Sequence, residues 1–467
     1  MTRSQSGTRK RRRRGEADPA PEQVTGIAEG GTPALALTAD APATRFGQGM
    51  FAALAYRDYR LLWAGNMVTQ TGRWMQEVAT GWLMLELTDS PVWLGLVGFT
   101  RGLPMLLLSL PAGVLADRID RRRLLVTAQV LAAVLATILA VLVATDLVRP
   151  WHILVLSFLS GSMMSFIFPT RQALVSTLVP RERMANAVAV NSAGQNSARV
   201  FGPSLAGIMI SAVGTAICFA FQAVGLIAAA VMSFKLRAPS RDPQTSGVRA
   251  SAANNLVEGL RYIAATPRLK GLIGLAAIPT VLAMPFMQMI PVIARDELGS
   301  GSAGLGLLMT ASGVGALAGS LTVAALSTRL RSFGHLQIVT AALFGIMVTL
   351  FAFSPWMPLS LVLIAITSGV SAVYMSLNNT ILQMSVSDEF RGRVLSVYLM
   401  TWGLMPFGTL PMGALADAYG APIAVATGGI ASTLLVLVIA LRVPGVRSMS
   451  PATDDIRATS PVTKGAR

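Results

Sequence analysis

Leu124-Leu125-Val126-Thr127-Ala128-Gln129-Val130-Leu131-Ala132-Ala133-Val134-Leu135-Ala136-Thr137-Ile138-Leu139-Ala140-Val141-Leu142-Val143-Ala144-Thr145 holds no charge, no glycine and no proline. It is preceded by Arg121-Arg122-Arg123 and followed by Asp146. About 20 apolar residues are what a helix needs to cross a hydrocarbon core ~30 Å thick. Lipid offers no hydrogen-bond partners, so the backbone of such a run must be bonded within the segment, as in a helix. The same kind of block recurs along the chain, roughly at 60–86, 92–116, 124–145, 151–176, 188–212, 215–235, 270–293, 303–327, 335–353, 357–384, 394–416 and 421–442. The composition agrees: 53% of the 467 residues are hydrophobic, 13% are charged, and the mean hydropathy is +0.59. The expected fold is an all-α membrane protein of about twelve transmembrane helices.

The formal net charge is +16. The Lys and Arg residues collect in the tails and in alternate short loops, which is the trace of membrane insertion and not a nucleic-acid-binding stripe. Arg118, Arg121, Arg122 and Arg123 fall in one such loop, Arg181 and Arg183 in the next, and Arg329, Arg331, Arg391 and Arg393 in later ones. The opposite loops hold little beyond Arg149 and Arg295. This asymmetry places both termini in the cytoplasm and the chain in a cytoplasmic (inner) membrane. Cys218 is the single cysteine, and His152 and His335 stand alone at block ends. Neither a disulfide framework nor a metal site follows, and no cofactor is expected.

The domain organisation reads as follows. Residues 1–54 form a disordered basic tail, with Arg9-Lys10-Arg11-Arg12-Arg13-Arg14 near anionic lipid. Residues 55–236 make a six-helix bundle, 237–269 a cytoplasmic linker, 270–445 a second six-helix bundle, and 446–467 a disordered tail. Within the linker, Leu256-Val257-Glu258-Gly259-Leu260-Arg261-Tyr262-Ile263 is an amphipathic surface helix. A weak repeat links the halves: Pro203, Gly207 and Gly214 recur as Pro411, Gly413 and Gly420. Six spans plus six in parallel register, related by a pseudo-two-fold along the membrane normal, put a substrate site between the halves near the midplane.

Charged side chains at membrane depth are costly, which makes them candidates for function. Asn66, Gln70, Arg73, Glu77 and Thr80 follow one another at spacings of three and four, so they share a face of span 1. Asn191, Gln195 and Arg199 share a face of span 5, and Thr367, Ser371, Tyr374 and Asn378 a face of span 10. These three faces are expected to outline the cavity. Glu77 is the one clear carboxylate deep in a span, with Arg73 a turn away and Arg101 of span 2 at matching depth. Two roles stay open for it: a structural ion pair with an arginine, or a proton carrier. Arg73, Arg101, Arg171 and Arg199 outnumber the lone Glu77, which favours anionic or acceptor-rich cargo. Ala311, Gly315 and Gly319 give span 8 a smooth stripe, expected to face span 5.

The segment Gly113-Val114-Leu115-Ala116-Asp117-Arg118-Ile119-Asp120-Arg121-Arg122 resembles the loop signature of the major facilitator superfamily, with Asp120 where glycine is usual. Tyr59-Arg60-Leu61-Leu62-Trp63, Pro169-Thr170-Arg171-Gln172-Ala173 and Arg199-Val200-Phe201-Gly202-Pro203 resemble its enterobactin-exporter-type efflux branch. The resemblance implies a gate built on Gly113, Asp117, Arg118, Arg121 and Arg122, with Asp117 meeting the start of span 11 after Arg391-Gly392-Arg393. It also implies that Gly202, Pro203 and Gly207 belong to an antiporter-type motif, favouring export. The expected protein is a monomeric, proton-coupled exporter of small amphipathic molecules, siderophore-like or drug-like, working in the lipid bilayer by alternating access. Macrolide or multidrug efflux alone, nutrient uptake, and a non-transporting receptor or lipid-handling protein are the alternatives. No phosphate-binding Gly-x-x-x-x-Gly-Lys-Ser/Thr loop and no nucleophile–base–orienter set occurs, which argues against an ATP-driven pump and against an enzyme.

Overall fold

The computed structural model describes residues 51–237, 252–326 and 333–447. The expected disorder of residues 1–50 and 448–467 lies outside the described residues. The first half comprises α1 (Arg57–Thr88), α2 (Pro91–Arg118), α3 (Arg121–Ala144), α4 (Pro150–Leu178), α5 (Met184–Val213) and α6 (Ala216–Phe234). The linker holds α7 (Ala252–Ala265), which contains residues 256–263. The second half comprises α8 (Pro267–Leu282), α9 (Phe286–Val292), α10 (Gly301–Leu326), α11 (Phe333–Ala352), α12 (Met357–Ser385), α13 (Asp388–Trp402), α14 (Pro406–Tyr419) and α15 (Ala421–Arg442), followed by the short α16 (Pro444–Arg447).

Among the described residues there are twelve segments of spanning length, because α8 with α9, and α13 with α14, each form one broken span. Proline explains both breaks. Pro279 and Pro285 flank the first interruption, and Pro406 opens the helix after the second. Ten of the twelve are apolar enough to be recognised as spans by length and composition. The other two are α1 and α5, the helices whose polar faces the sequence singles out.

Two boundaries differ from expectation. Residues Ala52–Ala55 form a 3-10 turn, in which the Ala53 amide donates to Asn186 Oδ1 at 2.8 Å. At the other end Val446 is fully buried in α16. Ordered structure therefore reaches a few residues into both tails.

The pseudo-symmetry is visible in glycines. Gly214 closes α5 at φ 95° and Gly420 closes α14 at φ 89°, a conformation that costs glycine nothing. A Cβ on Gly207 of α5 would stand 3.0 Å from the Gly306 Cα of α10. A Cβ on Gly413 of α14 would likewise stand 3.0 Å from the Gly95 Cα of α2. The two halves thus cross at two equivalent glycine pairs. The stripe Gly315 and Gly319 is a correction: it packs on Ala365 and Gly369 of α12, inside the second half. The face of α10 toward α5 is instead Gly306, Thr310 and Gly313, with Ser204 Oγ and Thr310 Oγ1 2.5 Å apart.

The face of the bundle near residues 57 and 447 is termed the tail face here, and the opposite one the far face. Among the described residues, close contacts between the halves include a series from mid-depth to the far face. Pro406 of α14 meets Gly102, Thr409 meets Gly98, and Pro291 meets Gly81. At the far face itself, Arg295 donates to Asp89 Oδ1 at 2.6 Å and to the Leu85 carbonyl at 3.2 Å, while Ser90 Oγ donates to Asp417 Oδ1 at 2.6 Å. The halves are therefore joined over the far side of the molecule.

Candidate functional site: a cationic cluster at mid-depth

Packing fixes which face of α1 looks inward. Gly65 and Gly72 lie against Ala229 and Gln222 of α6. Trp63, Met67, Thr71 and Trp74 meet Gly194 and Gly202 of α5. At 100° per residue, the face Asn66, Gln70, Arg73 and Glu77 is left between these two contacts. Arg73 and Glu77 remain partly accessible although they sit near the middle of a helix surrounded by neighbours, so they open on an internal space.

Arg101 of α2 comes to Glu77 in an ion pair, Nη1 donating to Oε2. The position of Arg101 is set from both halves: Gly161 lets α4 approach its carbonyl, and the adjacent Gly102 receives Pro406 of α14. Arg73 Nε donates to Gln70 Oε1 at 3.2 Å, and its guanidinium lies 4.8 Å from the Trp74 ring centroid. Arg199 of α5 lies 5.6 Å from the same ring, so one indole carries two guanidiniums. The Arg199 Nε is buried and has no hydrogen-bond partner. Arg73 interacts electrostatically with Arg101, Glu77 and Arg199, and Arg171 of α4 with Arg73. Arg171 is 8% exposed and sits 5.9 Å from the Phe168 ring. The four arginines expected from the sequence are thus one cluster, with one carboxylate among them.

The other expected cavity residues divide. Asn66 Nδ2 donates to Asn191 Oδ1 at 2.9 Å, clasping α1 to α5 and burying Asn66. Gln195 is partly accessible on the same face of α5. Tyr374 and Asn378 are turned elsewhere. The Tyr374 hydroxyl donates to the Ala276 carbonyl at 3.3 Å, and Asn378 Nδ2 to the Leu272 carbonyl at 3.2 Å. Both side chains, at 2% and 1% exposed, are packing between α12 and α8, and Ser371 is buried with them. A polar face of a helix can satisfy a neighbour's spare carbonyl lone pairs as readily as line a cavity. The second half's share of the seam is therefore not the expected face of span 10.

Of the expected gate residues, Gly113 and the side chains of Asp117 and Arg118 lie outside the described ones. Arg122 binds the Phe234 carbonyl and lies 5.1 Å from the Phe234 ring, tying the start of α3 to the end of α6 within one half. Arg121 stands beside it at the start of α3. At the start of α13, Arg393 pairs with Glu258 of α7 at 3.2 Å, and Tyr262 stacks on Phe390 with ring centroids 4.5 Å apart. Gly202 packs on Trp74, where a Cβ would stand 2.6 Å from the Trp74 Cβ. Pro203 and Gly207 serve the crossing with α10.

The seam glycines of α2, Gly95, Gly98 and Gly102, carry no charge or polar-face pattern. Their signal is small residues at spacings of three and four on one helix face. The described residues contain no group of three or more His, Cys, Asp or Glu able to hold a metal.

Comparison with known proteins is consistent with this architecture. The chain is 24% identical over 353 residues to a staphyloferrin A transporter of Staphylococcus aureus, covering 75% of this chain and 87% of that one. It is 28% identical over 371 residues to the multidrug efflux pump Tap of Mycolicibacterium fortuitum, covering 76% and 87%. Among solved structures it is similar in fold to an inward-facing, unoccupied bacterial homologue of the human lysosomal transporter Spinster. That match has a TM-score of 0.66 at 14% identity and covers 87% of this chain and 99% of that one. The model of the transmembrane secretion effector family matches residues 48–461, nearly the whole chain. The chain therefore belongs to the transmembrane secretion effector family of the major facilitator superfamily.

Proposed function

We propose that this protein is a proton-coupled, secondary-active exporter of small amphipathic molecules, siderophore-like or drug-like as the names of its relatives indicate. It acts as a monomer in a bacterial inner membrane, with both tails in the cytoplasm. The units that move are the bundles 55–236 and 270–445, joined by the linker 237–269. With the termini cytoplasmic, the far face is the outer side, and the contacts that join the halves there are the ones that must part for release.

One observation carries the reading. Among the described residues Glu77 is the carboxylate at mid-depth, and it is paired with Arg101, whose neighbour Gly102 touches the opposite half. A proton arriving on Glu77 neutralises the acceptor and releases the Arg101 guanidinium. Rebinding of Arg101 expels that proton. The ion pair and the proton carrier are then two states of one device, alternating as Pro406 slides over Gly102. The start of span 11 contributes the Asp117 gate from the other side of the cycle, when the cytoplasmic ends approach.

The test is Glu77→Gln in proteoliposomes with an imposed pH gradient. Efflux driven by the gradient should be abolished while substrate binding to the detergent-purified protein is largely kept. A variant that still concentrates substrate against its gradient removes Glu77 from the coupling step.

A further inference from the structure

We infer that the mid-depth cluster is a polyanion site: the cargo carries at least two oxyanion groups, one of them taken by Arg73 and Arg199 where they lie over the Trp74 ring. The inference rests on reading this cavity as the transport path and specifies what it admits. Arg73, Arg101, Arg171 and Arg199 come from four different helices of one half; Arg73 and Arg199 lie 4.8 and 5.6 Å from the same Trp74 ring, and Arg101 pairs with Glu77, one turn from Arg73. Glu77 is the sole acidic partner within salt-bridge distance of any of them among the described residues, and it is engaged by Arg101. Arg73, Arg171 and Arg199 are left with an amide oxygen and aromatic faces as their contacts.

Guanidinium stays protonated in proteins, so these three cannot shed their charge. Withdrawing a cation from water without an anionic partner is unfavourable, and the Nε of Arg199 lacks even a neutral acceptor. An indole face offsets part of that cost but takes no hydrogen bonds. The missing component is therefore a group with several acceptor oxygens, planar enough for the two-pronged fork of arginine: carboxylate or catecholate-like chemistry. Trp74, held by its close fit against Gly202, fixes where the Arg73 and Arg199 guanidiniums sit. A monocation has no carboxylate free to receive it here, because the nearest one already has a guanidinium.

The experiment uses purified full-length protein in neutral detergent without added lipid, titrated with benzene-1,3,5-tricarboxylate and, separately, with its uncharged triamide. Calorimetry should show the tricarboxylate binding at least tenfold more tightly than the triamide. Arg199→Gln and Arg73→Gln should each weaken the tricarboxylate by about tenfold and leave the triamide unchanged, and raised salt should mimic the substitutions. Arg199→Lys, which keeps the charge but not the fork, should fall between. Melting curves of each variant separate a lost site from a lost fold. Equal binding of both probes, or equal weakening of both by Arg199→Gln in a protein that melts normally, overturns the inference. Competition by anionic-lipid micelles but no binding of the tricarboxylate overturns it too, since the ligand would then be a headgroup. Because no gradient is involved, a protein that binds the tricarboxylate but fails to export it refutes the export reading and leaves the polyanion site standing.

Discussion

Trp74 is the residue on which the site's geometry turns. Its ring faces two guanidiniums, and its Cβ is pressed against Gly202 of α5. Gly202→Ala adds one carbon, which would stand 2.6 Å from the Trp74 Cβ and 3.0 Å from the Thr71 carbonyl. Neither neighbour is the free end of a flexible chain, so α1 and α5 must separate or Trp74 must swing away. Overpacking of this kind costs about 1–3 kcal/mol. Gly202→Ala should therefore insert normally, melt several degrees lower, and export at no more than about a tenth of the parent rate, as read by melting curves and vesicle flux. At this scale the sequence was informative about charge and uninformative about direction. The spacing of Arg73 and Glu77 places them on one face, and Arg101 of span 2 lies at matching depth. Tyr374 and Asn378 obeyed the same spacing, yet their partners are carbonyls of α8. Spacing assigns a face to a helix, and only the neighbouring helices decide what that face meets.

The helix α7 shows how an element outside the spans bears on one within them. It grips the start of α13 by the Glu258–Arg393 pair, by stacking of Tyr262 on Phe390, and by close approach at Gly259, where a Cβ would stand 2.8 Å from the Arg393 carbonyl oxygen. The ion pair is part-exposed and worth about 0–1 kcal/mol, and the stacked rings add roughly 0.5–1.5. Neither alone holds the helix, whereas the glycine contact is a steric condition. Gly259→Val should therefore release α7 more completely than Glu258→Gln. Spin labels on α7 and α13, in a Cys218→Ser background, should show a broadened distance for the first and a nearly unchanged one for the second. The amphipathic pattern of Leu256 to Ile263 was enough to foresee this helix. The breaks after Leu282 and Trp402 were not foreseen, although Pro279 and Pro285 were plain in the sequence. Proline is common in membrane helices, and whether it kinks or interrupts depends on which neighbours satisfy the freed backbone groups.

For the whole molecule, the two glycine crossings are placed to act as hinges in the proposed cycle, and the Arg295 contacts as a clasp. Gly207 on Gly306 and Gly413 on Gly95 allow helices of opposite halves to touch by backbone, where small rotations cost little side-chain repacking. Arg295 ties the far ends by Asp89 and the Leu85 carbonyl. Arg295→Ala removes those contacts without touching the hinges. At about 0.2–1 kcal/mol for each exposed contact, the balance between closed and open far faces should shift by several-fold. Spin labels at Ser90 and Asp417 would report it as a longer-distance population absent from the parent. A single, unchanged distance would show that the glycine seams alone keep the far face shut. The two-half build was legible because span lengths and loop charges are properties of insertion into lipid. The seam on α2 escaped notice because Gly95, Gly98 and Gly102 look like ordinary membrane-helix composition until a partner is seen.

The surplus of arginine also has an electrical meaning. A charge moved through the membrane field exchanges about 2.3 kcal/mol per 100 mV. On the proposed export cycle, in a cell whose interior is negative, an empty carrier with a positive cavity is drawn toward the cytoplasmic side, while one filled by a polyanion is nearly neutral and feels little pull. The membrane potential then acts mainly on the unloaded return stroke, resetting the carrier to the side where cargo is waiting. An exporter of this kind would slow when the potential is collapsed, even with the pH gradient intact.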